Sequence, residues 1–183
     1  MSNMGKSAAD LGVPEAEFIE DVDAYMAGKD LESTMKMLQD RYQQYKLAES
    51  RVQQMRVRLS QKMPDIKKGI EMVSLLVDKE DSGDELKLDF ELSDNIYAKA
   101  RVKNAKTVNL WLGANVMLEY EIGEAQELLK KNLENCKQSL ESTKEDMLFL
   151  RDQITITEVS IARVYNWDVK RRRDAKANQT EDV

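Results

Sequence analysis

The chain has 183 residues, of which 34% are charged and only 6% aromatic, and its formal net charge is −6. This composition excludes a thick globular core but suits long helices that bury one stripe of side chains. The negative charge argues against a general nucleic-acid binder, because such proteins need a basic face. The sequence has no histidine and one cysteine, Cys136, which removes the commonest general base, the commonest zinc ligand and any intrachain disulfide. We therefore expect a protein that is not an enzyme and needs no cofactor or metal.

The sequence also indicates a location. No apolar run approaches the roughly 20 residues that span a bilayer, and residues 1–10 lack the apolar core of a signal peptide. A single cysteine is typical of a reducing compartment. We expect a soluble protein of the cytoplasm that does not bind membranes.

The N-terminal part of the chain is short and polar. Residues 1–17 contain small and polar side chains with two glycines and a proline, which predicts a flexible tail. Phe18–Met26 has the pattern of a short amphipathic turn or helix. Gly28 interrupts it, and Asp30 is a suitable N-cap for the next helix.

The predicted N-terminal coiled-coil segment comprises residues 18–78, and a heptad pattern runs through it from Leu31 onwards. Alternate steps of four and three give a seam of Leu31, Met35, Leu38, Tyr42, Tyr45, Glu49, Val52, Arg56, Leu59, Met63, Ile66, Ile70, Val73 and Val77. Only Glu49 and Arg56 in this seam are charged. Pro64 should kink the helix without ending it, because the seam resumes in register. Such a sustained repeat predicts a coiled coil.

Residues 79–85 are an acidic linker, after which the hydrophobic period changes from 3.5 to 2. Alternation and turn residues predict two successive β-hairpins within residues 86–121. The predicted strands are Leu86–Leu92, Ile96–Val102, Val108–Leu112 and Val116–Tyr120. Isolated hairpins leave open edges, so we expect this region to assemble with other chains. The residues expected at that interface are Leu86, Leu88, Phe90, Leu110, Trp111, Leu112, Val116 and Leu118. A self-contained small sheet packed on the helix ends is the alternative.

A second helical seam follows over residues 122–173, with Gly123 as an acceptable N-cap. It runs through Ile122, Gln126, Leu129, Leu133, Cys136, Leu140, Thr143, Met147, Leu150, Ile154, Thr157, Ile161 and Val164. Residues 174–183 are expected to be disordered. Because the two seams are almost equally long, the simplest fold pairs them antiparallel. The predicted fold class is α+β and mainly α, with a long antiparallel two-helix coiled coil and two β-hairpins between the helices.

In such a fold, large apolar residues from both ends of the chain meet at the tip of the coiled coil. They are Phe18, Ile19, Val22, Tyr25, Val164, Tyr165 and Trp167. Either the N-terminal segment folds back over the tip, or the tip stays exposed as a sticky surface. Large apolar groups exposed together mark an interaction site. We therefore treat these residues as a candidate site for binding client proteins.

Several segments together resemble α-class subunits of the prefoldin family. They are Trp111-Leu112-Gly113-Ala114, Val116–Tyr120, Glu124-Ala125 and Ala162–Val169, supported by Phe18–Glu20 and Met63–Asp65. The resemblance covers roughly residues 14–173 and keeps the same order of elements. Gly123 departs from the pattern, since a better-capping Asp is expected there. The departure weakens a helix cap and not the assignment.

The resemblance implies a subunit of a heterohexameric co-chaperone that works without ATP. Such a complex contains two α-class and four β-class subunits, so the partners here would be one further α-class and four β-class chains. It captures unfolded actin and tubulin at the coiled-coil tips and delivers them to the cytosolic chaperonin. Assembly through the hairpins is the corresponding expectation for residues 86–121.

The sequence leaves two points open, the function of the chain and the role of its basic cluster. The chain could be a structural coiled-coil adaptor that binds no client. The cations Lys170, Arg171, Arg172 and Arg173 could stabilise a helix C-terminus, act as a nuclear address, or contact an acidic surface of the chaperonin. A DNA-binding zipper is disfavoured, because its basic stretch would precede the heptads. Cys136 occupies a seam position and is expected to be a buried core thiol.

Overall fold

The computed structural model describes residues 12–82, 85–103 and 105–181. Within these ranges, three helices and four strands follow one another. They are α1 (Val22–Met26), α2 (Leu31–Ser82), β1 (Leu86–Ser93), β2 (Ile96–Val102), β3 (Thr107–Gly113), β4 (Val116–Glu121) and α3 (Ile122–Glu181). Two long helices thus flank two small antiparallel β-hairpins, which confirms the predicted fold class.

The chain divides into two compact units. The terminal unit comprises Met1–Val57 with Glu141–Val183, and the hairpin unit comprises Arg58–Leu140. The two long helices run antiparallel in both. In the terminal unit Leu38 packs with Val164, while Tyr45, later in α2, packs with Leu150, earlier in α3.

The hairpin unit shows the same antiparallel order through two hydrogen bonds. The Gln126 amide donates to the Ser74 hydroxyl at 3.2 Å, and the Cys136 thiol donates to the Leu59 carbonyl at 3.5 Å. The seam residues account for this packing. Every predicted seam position except Arg56 is buried or half-buried.

Aspartates begin the first two helices, because their carboxylates accept backbone N–H groups that lack partners in the first turn. The Asp21 carboxylate accepts from Ala24 at 3.1 Å, and the Asp30 carboxylate accepts from Ser33 at 2.9 Å. The predicted N-cap at Asp30 is therefore confirmed. The Ser33 backbone bond is the main reason that the pKa of Asp30 lies below its ordinary value of 3.8.

Replacing Asp30 with alanine is expected to lower the thermal stability of the terminal unit, whereas Asp30→Asn should retain most of it. Because the pKa of Asp30 is lowered by folding, its contribution is present above the unfolded value of 3.8 and is lost as the pH falls through the folded value. Circular dichroism melts at neutral pH and near pH 3 measure this. The difference in melting temperature between wild type and Asp30→Ala should become smaller in acid. A difference that stays constant with pH would contradict the capping role.

Both long helices extend beyond the predicted ends. Helix α2 continues through Pro64 and ends at Ser82, so residues 79–82 of the predicted linker are helical; residues 83 and 84 lie outside the described residues. Helix α3 continues to Glu181, past the predicted end at Arg173. Its last stretch contains no glycine or proline, so nothing in the backbone stops the helix.

The N-terminal tail predicted for residues 1–17 falls partly outside the described residues, which begin at Gly12. The described part lies against the long helices. Val13 and Ala16 pack on a core cluster that includes Tyr45 and Leu150. The polar composition of the segment gave no indication of this packing.

Each hairpin is a separate two-stranded sheet. Strand β1 pairs with β2 from Leu86↔Val102 to Ser93↔Ile96, and β3 pairs with β4 from Thr107↔Glu121 to Gly113↔Val116. Within the described residues the two sheets share no strand pairing. The turns are tight and use positive φ angles, 63° at Asn95 and 62° at Asn115, which asparagine tolerates better than most residues.

Candidate functional sites

The most exposed apolar side chains of the hairpin unit lie on the distal halves of the two hairpins. We call this set the hairpin surface. Its members, each between 45% and 64% exposed, are Phe90, Leu92, Ile96, Tyr97, Trp111, Leu112, Val116, Met117 and Leu118. A monomer rarely leaves so many large apolar groups in contact with water, so this surface marks an interaction site.

The structure divides the residues that were predicted to mediate assembly. Phe90, Trp111, Leu112, Val116 and Leu118 belong to the hairpin surface. The other three are less exposed: Leu86 is buried, and Leu88 and Leu110 are half-buried. They therefore offer less of their side chains to another chain.

Sequence reasoning missed four members of the hairpin surface, which are Leu92, Ile96, Tyr97 and Met117. The first three flank the turn at Asn95. The signal that could have found them is their position next to the turns at Asn95 and Asn115, because side chains at the end of a two-stranded hairpin have few neighbours to cover them.

The two hairpins differ in how their faces are composed. In the first, Lys87 lies opposite Arg101 and Asp89 opposite Lys99, so one face is charged and the other apolar. In the second, Leu110 lies opposite Leu118 and Trp111 opposite Met117. Because adjacent residues of a strand point to opposite faces, the second hairpin is apolar on both faces at this level.

The second candidate site lies in the terminal unit, where the N-terminal segment, Val13–Met26, covers the paired helices. Ile19 and Met26 are buried in a cluster with Leu38 and Val164. Of the two arrangements that the sequence left open, the structure shows the folded-back one. The tip is therefore a small core with three layers of chain.

Five hydrogen bonds hold the N-terminal segment in place. The Tyr45 hydroxyl donates to the Pro14 carbonyl at 2.7 Å, and the Ala16 N–H donates to the Gln153 side-chain carbonyl at 2.6 Å. The Arg163 guanidinium donates to the carbonyls of Ile19 and Glu20 at 2.8 and 3.2 Å. The Trp167 indole donates to the Asp23 carboxylate. Burial raises the pKa of the Tyr45 hydroxyl, so it stays protonated and able to donate.

The predicted client-binding residues have different positions in this arrangement. Ile19 and Val164 are buried, at 4% and 0% exposure, and Val22, Tyr25 and Trp167 are half-buried. Phe18 and Tyr165 are exposed, at 44% and 61%. Of the seven predicted residues, these two therefore present the most surface to a partner in this conformation.

The basic cluster Lys170–Arg173 is not at a helix end, because α3 continues to Glu181. The helix-dipole explanation for it is therefore wrong. Two of its cations bind the buried carboxylate of Asp168 instead, Arg171 at 3.3 Å and Arg172 at 2.7 Å. The Arg171 guanidinium also lies 5.0 Å from the centre of the Trp167 ring. Half of the cluster is thus paired with the tip, and all four of its members are exposed.

The described residues offer little other chemistry. Cys136 is buried, at 5% exposure, which confirms it as a core thiol. Within residues 12–82, 85–103 and 105–181, no group of three or more His, Cys, Asp or Glu side chains is placed to hold a metal ion. No helix in the same ranges is long and apolar enough to cross a membrane.

Comparison with known proteins gives the family first. The profile of the prefoldin family, described as Prefoldin subunit, matches residues 45–167. The chain belongs to the prefoldin family, which is a family of chaperones and not of enzymes.

Individual relatives are more specific. The chain is 48% identical over 165 residues to prefoldin subunit 3 of Homo sapiens, covering 88% of this chain and 84% of that protein. It is 43% identical over 167 residues to prefoldin subunit 3 of Drosophila melanogaster, covering 90% and 84%. It is 34% identical over 179 residues to the probable prefoldin subunit 3 of Caenorhabditis elegans, covering 97% of each. The expected prefoldin resemblance is confirmed.

Proposed function

We propose that this chain is an α-class subunit of a heterohexameric co-chaperone that acts without ATP. Its partners are one further α-class and four β-class prefoldin subunits. The complex captures unfolded proteins, actin and tubulin among them, at its coiled-coil tips and delivers them to the cytosolic chaperonin. The chain itself catalyses no reaction and binds no cofactor. It acts in the cytoplasm, with a nuclear location as a further possibility.

The observation that carries this proposal is the hairpin surface. Each two-stranded sheet has open edges, and its distal apolar side chains remain 45% to 64% exposed. Isolated hairpins are marginally stable in water, and three or more strands with a covered face are needed for independent stability. Pairing with hairpins of other subunits removes both the open edges and the exposed apolar surface.

Client capture is supported by the two exposed aromatic rings of the tip, those of Phe18 and Tyr165. Burying one such side chain contributes roughly 1.5–3 kcal/mol before ordering costs are subtracted. A single tip therefore binds weakly. Several tips on one scaffold hold an unfolded chain tightly, because each contact raises the effective concentration of the others.

A tagged version of this chain, purified at high salt from its native cytosol, tests the assembly. We expect five other small coiled-coil chains in near-equal amounts. The purified complex should suppress aggregation of unfolded actin without nucleotide, and Phe18→Ser with Tyr165→Ser should weaken this severalfold while leaving assembly intact.

Asp152→Ser, at an exposed polar position of α3, is the control and should behave as wild type. Intact assembly with unchanged suppression in the double variant would instead favour the structural adaptor.

The contact with the chaperonin has its own candidates. Lys170 and Arg173 are exposed, and they suit an acidic surface of a partner. Arg171 and Arg172 contribute less to such a contact, because Asp168 already neutralises much of their charge. Unchanged chaperonin binding after charge reversal at Lys170 and Arg173 would rule this contact out.

A further inference from the structure

The N-terminal segment lies on the paired helices in the way that a bound peptide lies on its receptor. Residues 13–20 contain no helix or strand and cross the terminal unit in an irregular, extended course. The short helix α1 follows directly. The segment therefore contributes few backbone bonds of its own, and the helices beneath it supply the partners.

Those partners recognise the backbone more than the side chains. Four of the five hydrogen bonds end on main-chain atoms, namely the carbonyls of Pro14, Ile19 and Glu20 and the N–H of Ala16. Only the bond from the Trp167 indole ends on a side chain, the carboxylate of Asp23. Contacts to main-chain atoms are available from any extended sequence, so this surface can accept many sequences.

Apolar side chains supply what selectivity there is. Ile19 and Met26 insert between the helices and contact the cluster around Leu38 and Val164. The guanidinium of Arg163 donates to main-chain carbonyls next to the first of these anchors, and it also lies 4.8 Å from the centre of the Phe18 ring.

We propose that the helix surface beneath Val13–Met26 is a peptide-binding groove, and that this segment is its resident occupant. The groove takes segments of unfolded clients that lie extended where residues 13–20 lie and that carry apolar anchors in the places of Ile19 and Met26. A client segment of this kind displaces the N-terminal segment and uses the same donors and acceptors, which are Tyr45, Gln153 and Arg163. This inference rests on the proposed function and names the site and the ligand class that serve it.

The resident segment sets a threshold for binding. Because it is tethered, its effective concentration at the groove is high, and a competitor must overcome it. A folded protein rarely offers an extended backbone with free carbonyls and N–H groups, whereas an unfolded chain offers many. The groove therefore discriminates against folded proteins without recognising any particular sequence.

The test uses the full chain and a fluorescein-labelled peptide that corresponds to residues 13–27. Ile19→Asp releases the resident segment, because a carboxylate cannot be buried in the apolar cluster. We expect this variant to bind the peptide at least about tenfold more tightly than wild type in fluorescence anisotropy, since the competitor has been removed. Leu148→Asp, the same kind of change at a leucine that is 62% exposed, should match wild type.

A peptide in which both anchors, Ile19 and Met26, are replaced by aspartate should not bind. Circular dichroism checks that the variant keeps its helices. If Ile19→Asp loses its helices, the milder Ile19→Ala takes its place in the test. We expect Ile19→Ala to bind the peptide more tightly than wild type and Leu148→Asp do, and less tightly than a fully vacated groove would.

Equal peptide binding by wild type and by folded Ile19 variants would overturn the groove. Capture assays with the same proteins assembled into the complex distinguish a failure of the groove from a failure of the proposed function. A wild-type complex that captures unfolded actin while Ile19→Ala brings no gain leaves the chaperone function in place and removes the groove. Failure of the wild-type complex to capture any unfolded protein removes the proposed function itself.

Discussion

Replacing both Phe90 and Leu118 with aspartate is expected to leave the chain folded and to remove it from the prefoldin complex. Both side chains are about half exposed or more, at 63% and 48%, so the isolated chain has little packing to lose. In an assembly, each change forfeits roughly 1.5–3 kcal/mol of apolar burial. It also places a carboxylate at a desolvated interface. Affinity for partner subunits should fall at least about 100-fold.

Co-expression with the partner subunits, followed by size-exclusion chromatography, measures this loss directly. Asp89→Asn is the matched control, because Asp89 lies opposite Lys99 on the charged face of the first hairpin. The control should co-elute with the complex at the wild-type position. Co-elution of the double aspartate variant would mean that the hairpin surface is not the subunit interface.

Replacing Val164 with aspartate is expected to destabilise the terminal unit by about 3–5 kcal/mol, because it leaves a buried charge without a partner. Val164 is fully buried, at 0% exposure, between Leu38 and Ile19. A loss of this size is a large fraction of the stability of an ordinary domain. Urea denaturation followed by circular dichroism measures it.

The neighbouring residue provides the control. Tyr165 is 61% exposed, and Tyr165→Asp should change stability by no more than about 0.5 kcal/mol. Under the proposed function, the two variants also differ in their second effect: Tyr165→Asp should weaken client capture without loosening the tip. Equal stability of the two variants would show that Val164 is not buried in solution.

The long helices and hairpins could be predicted from the sequence because each has a strict period. The seam from Leu31 to Val77 is marked by its 3.5-residue repeat, and its positions are buried or half-buried apart from Arg56. The strands are marked by alternation, and the turns at Asn95 and Asn115 by residues that accept positive φ. In both cases one local rule determines one local structure.

The cover over the tip could not be predicted in the same way. Residues 13–20 have no period, and they are held by partners more than a hundred positions away, such as Gln153 and Arg163. Gln153 and Ser160 are buried although neither lies on the seam. A heptad describes contact between two helices, whereas Gln153 bonds to Ala16 in a third layer of chain that the heptad does not encode.

The end of α3 was misjudged for a related reason. A run of cations at residues 170–173 suits a helix C-terminus, but it suits equally a carboxylate one turn earlier. Asp168 is that carboxylate, at 2.7 Å from Arg172. Sequence alone does not distinguish the two, because both place a positive charge at the same positions.

The second hairpin, with apolar pairs on both faces, has a consequence for how much of this protein a cell can hold. A copy without partners displays Trp111 and Met117 on one face and Leu118 on the other. Quality-control chaperones and proteases act on exposed apolar surface of this kind. Surplus copies should therefore be short-lived, and the steady-state amount of the chain should follow the supply of its partner subunits and not the rate of its own synthesis.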